Sequence, residues 1–199
     1  MAKFLIELGA NVNIYSTYDG ESAIILACKD KDVDVKIVND LLDHGANVND
    51  IEQGKRRKDN STRNTPLMAA SRNGNLPLVT YLISKGADVN YKNEFSRSAL
   101  IEALLMENYN VVLYLLENGA DISQTIFNRP DEKRNLGILD VLREDFFELD
   151  SQKYNYKQQI IKFLDSKGLH YSNTPIPEYI IEKAKEKYPK DWQEYLKKY

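Results

Sequence analysis

The sequence contains very little cysteine and histidine. Its 199 residues include one cysteine, Cys28, and two histidines, His44 and His170. A single cysteine excludes an internal disulfide and is typical of a protein kept in a reducing compartment. Two isolated histidines, with no further cysteine near them, provide none of the spacings that bind a metal. We therefore expect neither a disulfide framework nor a metal or other cofactor.

Long apolar runs and excess positive charge are also absent. No stretch approaches the ~18 apolar residues that a membrane span needs. The first residues, MAKFLIELGANVN, lack the small-residue cleavage site of a signal peptide. The formal net charge is −3, so no overall positive field attracts nucleic acid or an anionic membrane. We expect a soluble cytoplasmic protein that has no membrane partner.

A set of catalytic residues is equally hard to find. The sequence has no glycine-rich phosphate loop, and its 30 acidic residues are scattered. Cys28 ends the run AIILAC, which favours a buried residue over a nucleophile because no histidine is placed to activate it. His44 and His170 lie beside glycines that end helices, where a cation complements the helix dipole. These patterns predict that the protein is not an enzyme.

One short phrase occurs four times, and this repetition dominates the sequence. The copies read ELGANVNIY at 7–15, DHGANVNDI at 43–51, SKGADVNYK at 84–92 and ENGADISQT at 117–125. A worn copy, SKGLHYS, surrounds Gly168. Gly86 and Gly119 are 33 residues apart, and the longer spacings between the other copies indicate insertions.

Each copy of the phrase follows a pattern typical of two short helices. In the clearest copy, Thr65 is a good N-cap and Pro66 suits the first helical position. The letters NGN at 73–75 predict a turn between the helices, and Gly86 predicts the end of the second helix. A lone helix pair cannot bury its apolar stripe, so the copies are expected to stack and share one core.

The segment TPLMAASRNGNLPLVTYLISKGADVN resembles the ankyrin repeat in its Thr-Pro-Leu-x-x-Ala opening, its turn glycine and its Gly-Ala-Asp-Val-Asn ending. The copies depart from that pattern: Met68 replaces the usual histidine, Ser22 and Ser98 replace the threonine, and Glu107 replaces the turn glycine. The resemblance covers residues 1–174. It implies an all-α solenoid of helix–turn–helix units with short β-hairpin-like finger loops.

This resemblance suggests a division of the chain. The array would comprise a half repeat at 1–15, full repeats at 16–51, 60–92 and 93–125, an inserted finger at 52–59, and a degenerate repeat at 126–174. We expect helices NLGILDVL and YKQQIIKFLDSKG in the degenerate repeat, separated by an insertion at EDFFELDSQKYNYKQ. Residues 175–199 would form C-terminal capping helices. The initial half repeat favours a fragment of a longer protein over an exposed end.

The resemblance also implies a binding surface, since the finger tips and first helices of such proteins form a concave face that grips other proteins. Phe95, Leu105 and Met106 are apolar where the preceding repeat has polar residues, which suits an interface core. Alternatively, they pack beneath the insertion of the degenerate repeat. The candidate partner-binding residues are Tyr15, Tyr18, Asp19, Glu21, Arg72, Asn73, Lys92, Phe95, Arg97, Leu105 and Met106.

The inserted finger carries the only basic run, Lys55, Arg56, Arg57 and Lys58. We favour a solvated loop here over nucleic-acid binding, and a finger aimed at an acidic partner is a third interpretation. Taken together, the sequence predicts a monomeric, non-catalytic scaffold that binds an as yet unidentified protein. Two alternatives are the scaffold portion of a larger effector or enzyme, and weak nucleic-acid binding through the basic loop.

Overall fold

The structure is a computed structural model that describes residues 6–53, 63–129 and 134–199. The chain divides into two compact units, Met1–Ala120 and Asp121–Tyr199. The segment 126–174 therefore shares a unit with the tail rather than with the three full repeats. Its origin as a degenerate repeat stays a prediction.

Helix pairs build the first unit, as predicted. The first helix of each pair packs on the first helix of the next, and the second helices do the same. The pairs are α1 (Ala23–Lys29) with α2 (Val35–Asp43), α3 (Pro66–Asn73) with α4 (Leu76–Ser84), and α5 (Ala99–Leu105) with α6 (Tyr109–Glu117). The all-α stack of helix–turn–helix units is thus confirmed.

Local capping explains where the first helices begin. The Thr65 hydroxyl accepts a hydrogen bond from the amide of Met68 at 3.3 Å, and Pro66 opens α3. The Ser98 hydroxyl accepts from the amide of Ile101 at 3.4 Å and caps α5 in the same way. A serine therefore replaces the threonine with its capping role kept, because either hydroxyl satisfies one free amide of the first turn.

The shared core lies between the helices of neighbouring repeats. Small residues line the first helices: Ala70 and Ala103 are completely buried, so the helix backbones approach closely. The second helices contribute larger side chains, among them Leu78 and Leu82, which are also fully buried. Each pair thus covers its neighbour's apolar stripe, which is the source of stability in stacked repeats.

The repeated phrase joins one repeat to the next. Its last asparagine donates a hydrogen bond from Nδ2 to the carbonyl oxygen of the glycine in the following copy. The three bonds run from Asn13 to Gly45 at 3.1 Å, from Asn49 to Gly86 at 3.0 Å, and from Asn90 to Gly119 at 3.0 Å. Gly86 adopts a left-handed conformation (φ 88°), which ends α4 as its sequence position predicts.

The second unit begins with a hairpin that the sequence analysis missed. Strand β1 (Phe127–Arg129) pairs antiparallel with β2 (Arg134–Leu136), and Phe127 lies opposite Leu136. Helix α7 (Ile138–Glu144) and helix α8 (Gln152–Ser166) follow, then a 3₁₀ turn (Tyr171–Asn173). The helices α9 (Glu178–Lys187) and α10 (Trp192–Lys198) end the chain.

Both helices predicted for segment 126–174 need correction. The letters NL of NLGILDVL belong to β2, and the first helix starts only at Ile138, where the Gly137 amide donates to Asp140 Oδ2 at 2.9 Å. The second helix begins at Gln152, because the Ser151 hydroxyl caps it by accepting from the Tyr154 amide at 3.2 Å. Half of the supposed insertion is therefore helical.

The tail forms a small apolar cluster of its own. Ile180, Ala184 and Tyr195 are buried there, on the side that the helical spacing predicts. Phe146 packs against this cluster, with its ring centroid 4.9 Å from that of Tyr195. Leu149 joins it as well. The FF-containing segment therefore packs within the second unit.

Two basic side chains are buried in the second unit. Lys157 is 1 % exposed, and its Nζ donates to the Asp145 carbonyl oxygen at 2.9 Å while lying 3.9 Å from the centroid of the Tyr199 ring. Arg143 lies over Tyr171, with 3.6 Å between its Cζ and the ring centroid. Burial lowers the pKa of Lys157 to about 7, because the charged amine is removed from water.

Candidate protein-interaction surface

The finger turns and the C-terminal ends of the first helices lie on the first unit, and we call them the finger–helix face. The fingers have hairpin-like pairing at their bases. Tyr15 and Ser22 form an isolated antiparallel bridge, and the Asn93 amide donates to the Arg97 carbonyl oxygen at 2.9 Å. These short bridges hold each finger next to the helix that follows it.

The third full repeat presents apolar side chains on this face. Phe95 is 62 % exposed at the finger tip, and Met106 is 42 % exposed at the C-cap of α5. Leu105 beside it is half-buried. The Asn93 side chain fixes the finger turn, since its Oδ1 accepts from the amides of Phe95 and Arg97 at 2.9 and 3.0 Å. The exposure of Phe95 and Met106 contradicts the alternative that they form covered core.

A buried carboxylate that the sequence analysis missed organises the same region. Glu102 is 2 % exposed and accepts from Arg72 Nη1 at 2.8 Å. It also receives Arg97 Nη1 at 3.4 Å. Arg72 comes from the neighbouring repeat, so the pair links two repeats beside Phe95. The available signal was an acidic residue at a position where the preceding repeat has the small Ala69.

The first repeat contains a second ionic cluster, and it corrects one predicted site residue. Glu21 is buried and forms an ion pair with Lys29, whose Nζ also lies 2.9 Å from Glu52 Oε1. Glu21 was predicted to contact a partner from a finger tip. It instead faces inward, because the Lys29 ammonium compensates its charge.

Two tyrosines of the first finger remain on the surface. Tyr18 is 74 % exposed, and Tyr15 is 39 % exposed. The Tyr15 hydroxyl donates to Asp50 Oδ1 at 2.6 Å, and this hydrogen bond is the main cause of the raised pKa of Tyr15. Asp19 supports the turn between them, since its Oδ1 accepts from the Glu21 amide at 3.3 Å.

The remaining candidate residues differ in what they do. Lys92 is exposed on its finger. Asn73 is half-buried, and its Nδ2 donates to the Lys29 carbonyl oxygen at 2.7 Å and to that of Cys28 at 3.3 Å. Asn73 therefore caps the preceding helix rather than presenting its amide to a partner. The basic loop, Lys55, Arg56, Arg57 and Lys58, lies outside the described residues.

The residues considered for chemistry are placed structurally. Cys28 is completely buried, and burial raises the pKa of its thiol to about 12. His44 Nδ1 lies 2.7 Å from the Asp40 carbonyl oxygen at the end of α2, and His170 Nδ1 lies 3.4 Å from Asp165 Oδ1. Within residues 6–53, 63–129 and 134–199, no three His, Cys, Asp or Glu side chains are grouped to hold a metal ion. No helix of the described chain is long and apolar enough to cross a membrane.

The stacked pairs, their short fingers and the linking asparagines define the class of helical repeat proteins. The chain belongs to the ankyrin repeat proteins within that class. A family model for three ankyrin repeats matches residues 36–126, and the model for a single repeat matches residues 19–52. The resemblance inferred from the sequence is thereby confirmed for these residues.

Several known proteins are similar to parts of the chain. An ankyrin repeat protein of Acanthamoeba polyphaga mimivirus is 30 % identical over 99 residues, which are 48 % of this chain and 57 % of that protein. Human ankyrin repeat and SOCS box protein 6 is 31 % identical over 131 residues, which are 62 % of this chain and 29 % of that protein. Human mitochondrial disaggregase is 41 % identical over 64 residues, 32 % of this chain and 9 % of that protein. The chain thus spans between a tenth and about six tenths of the relatives that it matches.

Membership of the family has a general functional meaning. Ankyrin repeats generally mediate protein–protein interaction, and the repeat is generally a non-catalytic module that also occurs within multidomain proteins. The fold alone does not identify a partner, because the surface residues of each repeat protein differ.

Proposed function

We propose that this chain is a non-catalytic module that binds a partner protein through the finger–helix face of its first unit. The observation that carries the proposal is the exposure of Phe95 and Met106 beside the two arginines paired to Glu102. Aromatic residues, methionine and arginine are enriched in the cores of protein interfaces. An exposed cluster of these three types has the composition of a binding hot spot.

The contrast between neighbouring repeats supports this location. The third full repeat has Leu105 and Met106 where the second has Arg72 and Asn73, although both repeats build the same helix. Asn73 supports the fold by capping α1, whereas the Met106 side chain is exposed at the equivalent position. A solvent-exposed methionine adds nothing to the stack, so contact with a partner gives it a role.

The arginines are held ready for such contact. Arg72 and Arg97 are 47 % and 42 % exposed at their side chains, and the buried Glu102 carboxylate fixes both guanidinium groups. A preorganised side chain loses less conformational freedom on binding than a free one. The fixed arginines can therefore donate their remaining N–H groups to acceptors of a partner at the rim of the apolar patch.

Affinity capture with variant proteins tests the proposal. The full chain, its Phe95→Asp/Met106→Lys variant and a Leu8→Asp control are used as baits in a lysate of the organism that encodes the protein. Leu8 is 69 % exposed and lies away from this patch. We expect a partner captured by the wild type and the control to bind the double variant at least ~10-fold more weakly when each protein is purified.

Two results would contradict this function. One is a purified partner whose affinity is the same for the wild type and the double variant. The other is repeated failure of the correctly folded wild type to retain any protein that the Leu8→Asp control also retains. Circular dichroism of each bait confirms that a loss of binding is not a loss of fold.

A second candidate function follows from the relatives. Because the chain spans only 29 % of the human SOCS box relative and 9 % of the disaggregase, it can serve as the interaction portion of a larger protein. Sequencing the complete reading frame in the source organism tests this candidate. A reading frame that adds no further domain would count against it.

A further inference from the structure

An apolar groove lies on the side of α1 that faces away from α3. Its volume is about 420 Å³. One wall is a stripe of α1 and its C-cap, formed by Ala23, Leu26, Ala27 and Asp30. These positions are separated by three or four residues, so they share one face of the helix. The groove is separate from the finger–helix face and does not depend on the function proposed for it.

Equivalent stripes in the next two repeats are covered by a helix. Leu26 is 48 % exposed, whereas Ala69 and Glu102 at the same position of α3 and α5 are 5 % and 2 % exposed. What covers them is the first helix of the preceding repeat, since α1 packs on α3 and α3 packs on α5. The groove is therefore shaped like a first-helix contact, and it continues an interface that the molecule already makes twice.

The charges at one end of the groove differ from those of the covered stripes. Asn108, the N-cap of α6, donates from Nδ2 to the carbonyl oxygens of Ser71 and Arg72, in the last turn of the helix before it. Asn73 treats the end of α1 in the same way. At the groove, these two positions are occupied by Asp34, the N-cap of α2, and by Asp30.

Aspartates change what the groove can accept. An ionised carboxylate has no hydrogen to donate, so neither residue can cap the carbonyl oxygens of a helix end. The C-terminal end of a helix is also negative, and two carboxylates beside it are repulsive. A lysine or arginine in the last turn of the bound helix removes this repulsion and pairs with the aspartates.

We propose that this groove binds an α-helix of a partner protein, one that carries a stripe of small and apolar residues and a Lys or Arg in its last turn. The bound helix runs parallel to α1, in the place that α1 takes beside α3. Its apolar stripe covers Leu26, and its basic last turn meets Asp30 and Asp34. The occupant is thus defined by two properties that can be varied separately.

A pair of synthetic helices tests both properties. Each probe has about 16 residues, a side-chain lactam to hold it helical, and a stripe of Ala and Leu at helical spacing. The Lys probe ends with two lysines in its last turn, and the Glu probe ends with two glutamates. With the full chain, we expect the Lys probe to bind with a dissociation constant on the order of 10 μM and the Glu probe to bind at least about tenfold more weakly.

Protein variants locate the binding site. Leu26→Asp is expected to weaken binding of the Lys probe about tenfold, since it places a charge in the apolar wall. Leu8→Asp, a change at an exposed residue outside the groove, is the matched control and leaves binding unchanged. Asp30→Lys is expected to invert the preference, so that the Glu probe becomes the tighter ligand. Such a rescue by charge exchange assigns the contact to this end of the groove.

Several outcomes would overturn the proposal. It fails if the two probes bind equally, if a probe with a scrambled stripe binds as well as the Lys probe, or if Asp30→Lys does not change the preference. It also fails if sedimentation shows a dimer of the free protein that Leu26→Asp dissociates, because the occupant is then a second copy. Each variant is tested by circular dichroism, and loss of partner capture by the finger–helix face leaves these results unaffected.

Discussion

The side chain of Asn49 donates to the carbonyl oxygen of Gly86 at 3.0 Å and so joins two successive copies of the repeated phrase. The same amide accepts a second bond, from the Asp88 amide to its Oδ1 at 2.8 Å. The asparagine that ends one copy is therefore satisfied by the glycine and aspartate that begin the next. The phrase recurs because each copy is half of a contact with its neighbour.

Asn49→Ala should weaken the stack. The substitution removes two hydrogen bonds between repeats, and we expect the free energy of unfolding to fall by about 1 to 2 kcal/mol. Urea unfolding followed by circular dichroism measures the change. Asn47→Ala is the matched control, because Asn47 Oδ1 accepts only within its own turn, from Asn49. An equal loss in both variants would contradict the role given to the bonds between repeats.

Removing Arg72 should cost more stability than removing its partner Glu102. Arg72→Ala leaves a carboxylate that is 2 % exposed with Arg97 alone, and we expect a loss of about 1 to 2 kcal/mol. Glu102→Ala recreates the small residue of the preceding repeat and lets two half-exposed arginines return to water, so its cost should be below about 1 kcal/mol.

The double variant provides the decisive comparison for this pair. Arg72→Ala/Glu102→Ala should recover much of the stability lost in Arg72→Ala, as measured by urea unfolding in a double-mutant cycle. If the two single losses simply add, the ion pair across the repeats does not contribute to stability in the way described.

Phe95 should be dispensable for folding. Phe95→Thr introduces the residue type that the preceding repeat has on its finger, and we expect a change within about 0.5 kcal/mol since the side chain is 62 % exposed. Leu100→Ala in α5, where the side chain is 2 % exposed, should instead cost about 2 to 5 kcal/mol. Thermal and urea unfolding distinguish the two. A loss above about 2 kcal/mol for Phe95→Thr would mean that this ring is core rather than binding surface.

Lys157 should make the stability depend on pH. Burial lowers its pKa to about 7 from the ordinary value of 10.5, so between these values the unfolded chain binds more protons than the folded one. Stability therefore rises as the pH increases from about 7 toward 10.5, and below pH 7 the cost of burying the charge is fully present. The urea midpoint should increase between pH 7 and pH 9.5, and it should do so much less in Lys157→Met. A wild-type midpoint with the same pH dependence as Lys157→Met would contradict this assignment.

Much of the first unit was predictable because its signals are local. Thr65 and Pro66 mark the start of a helix by a cap that involves residues three apart, and Gly86 marks an end by its own backbone conformation. Such features depend on a few neighbours in the chain, so they can be read without knowing what packs where. The second unit lacks these repeated signals, and its hairpin and helix starts were missed or misplaced.

The sequence by itself therefore determined the family, the helix pairs and the direction of stacking. Only the tertiary structure decided which side chains the stacking buries. Glu21 and Glu102 look like surface residues in the sequence, but each meets a cation that folding brings close, and for Glu102 one of them, Arg72, lies 30 residues away in the chain. Leu26 looks like core, yet it remains half exposed because the burial of a repeat's stripe depends on the helix beside it. Burial and ion pairing are properties of neighbours in space, and for these residues those neighbours belong to other repeats or are still to be bound.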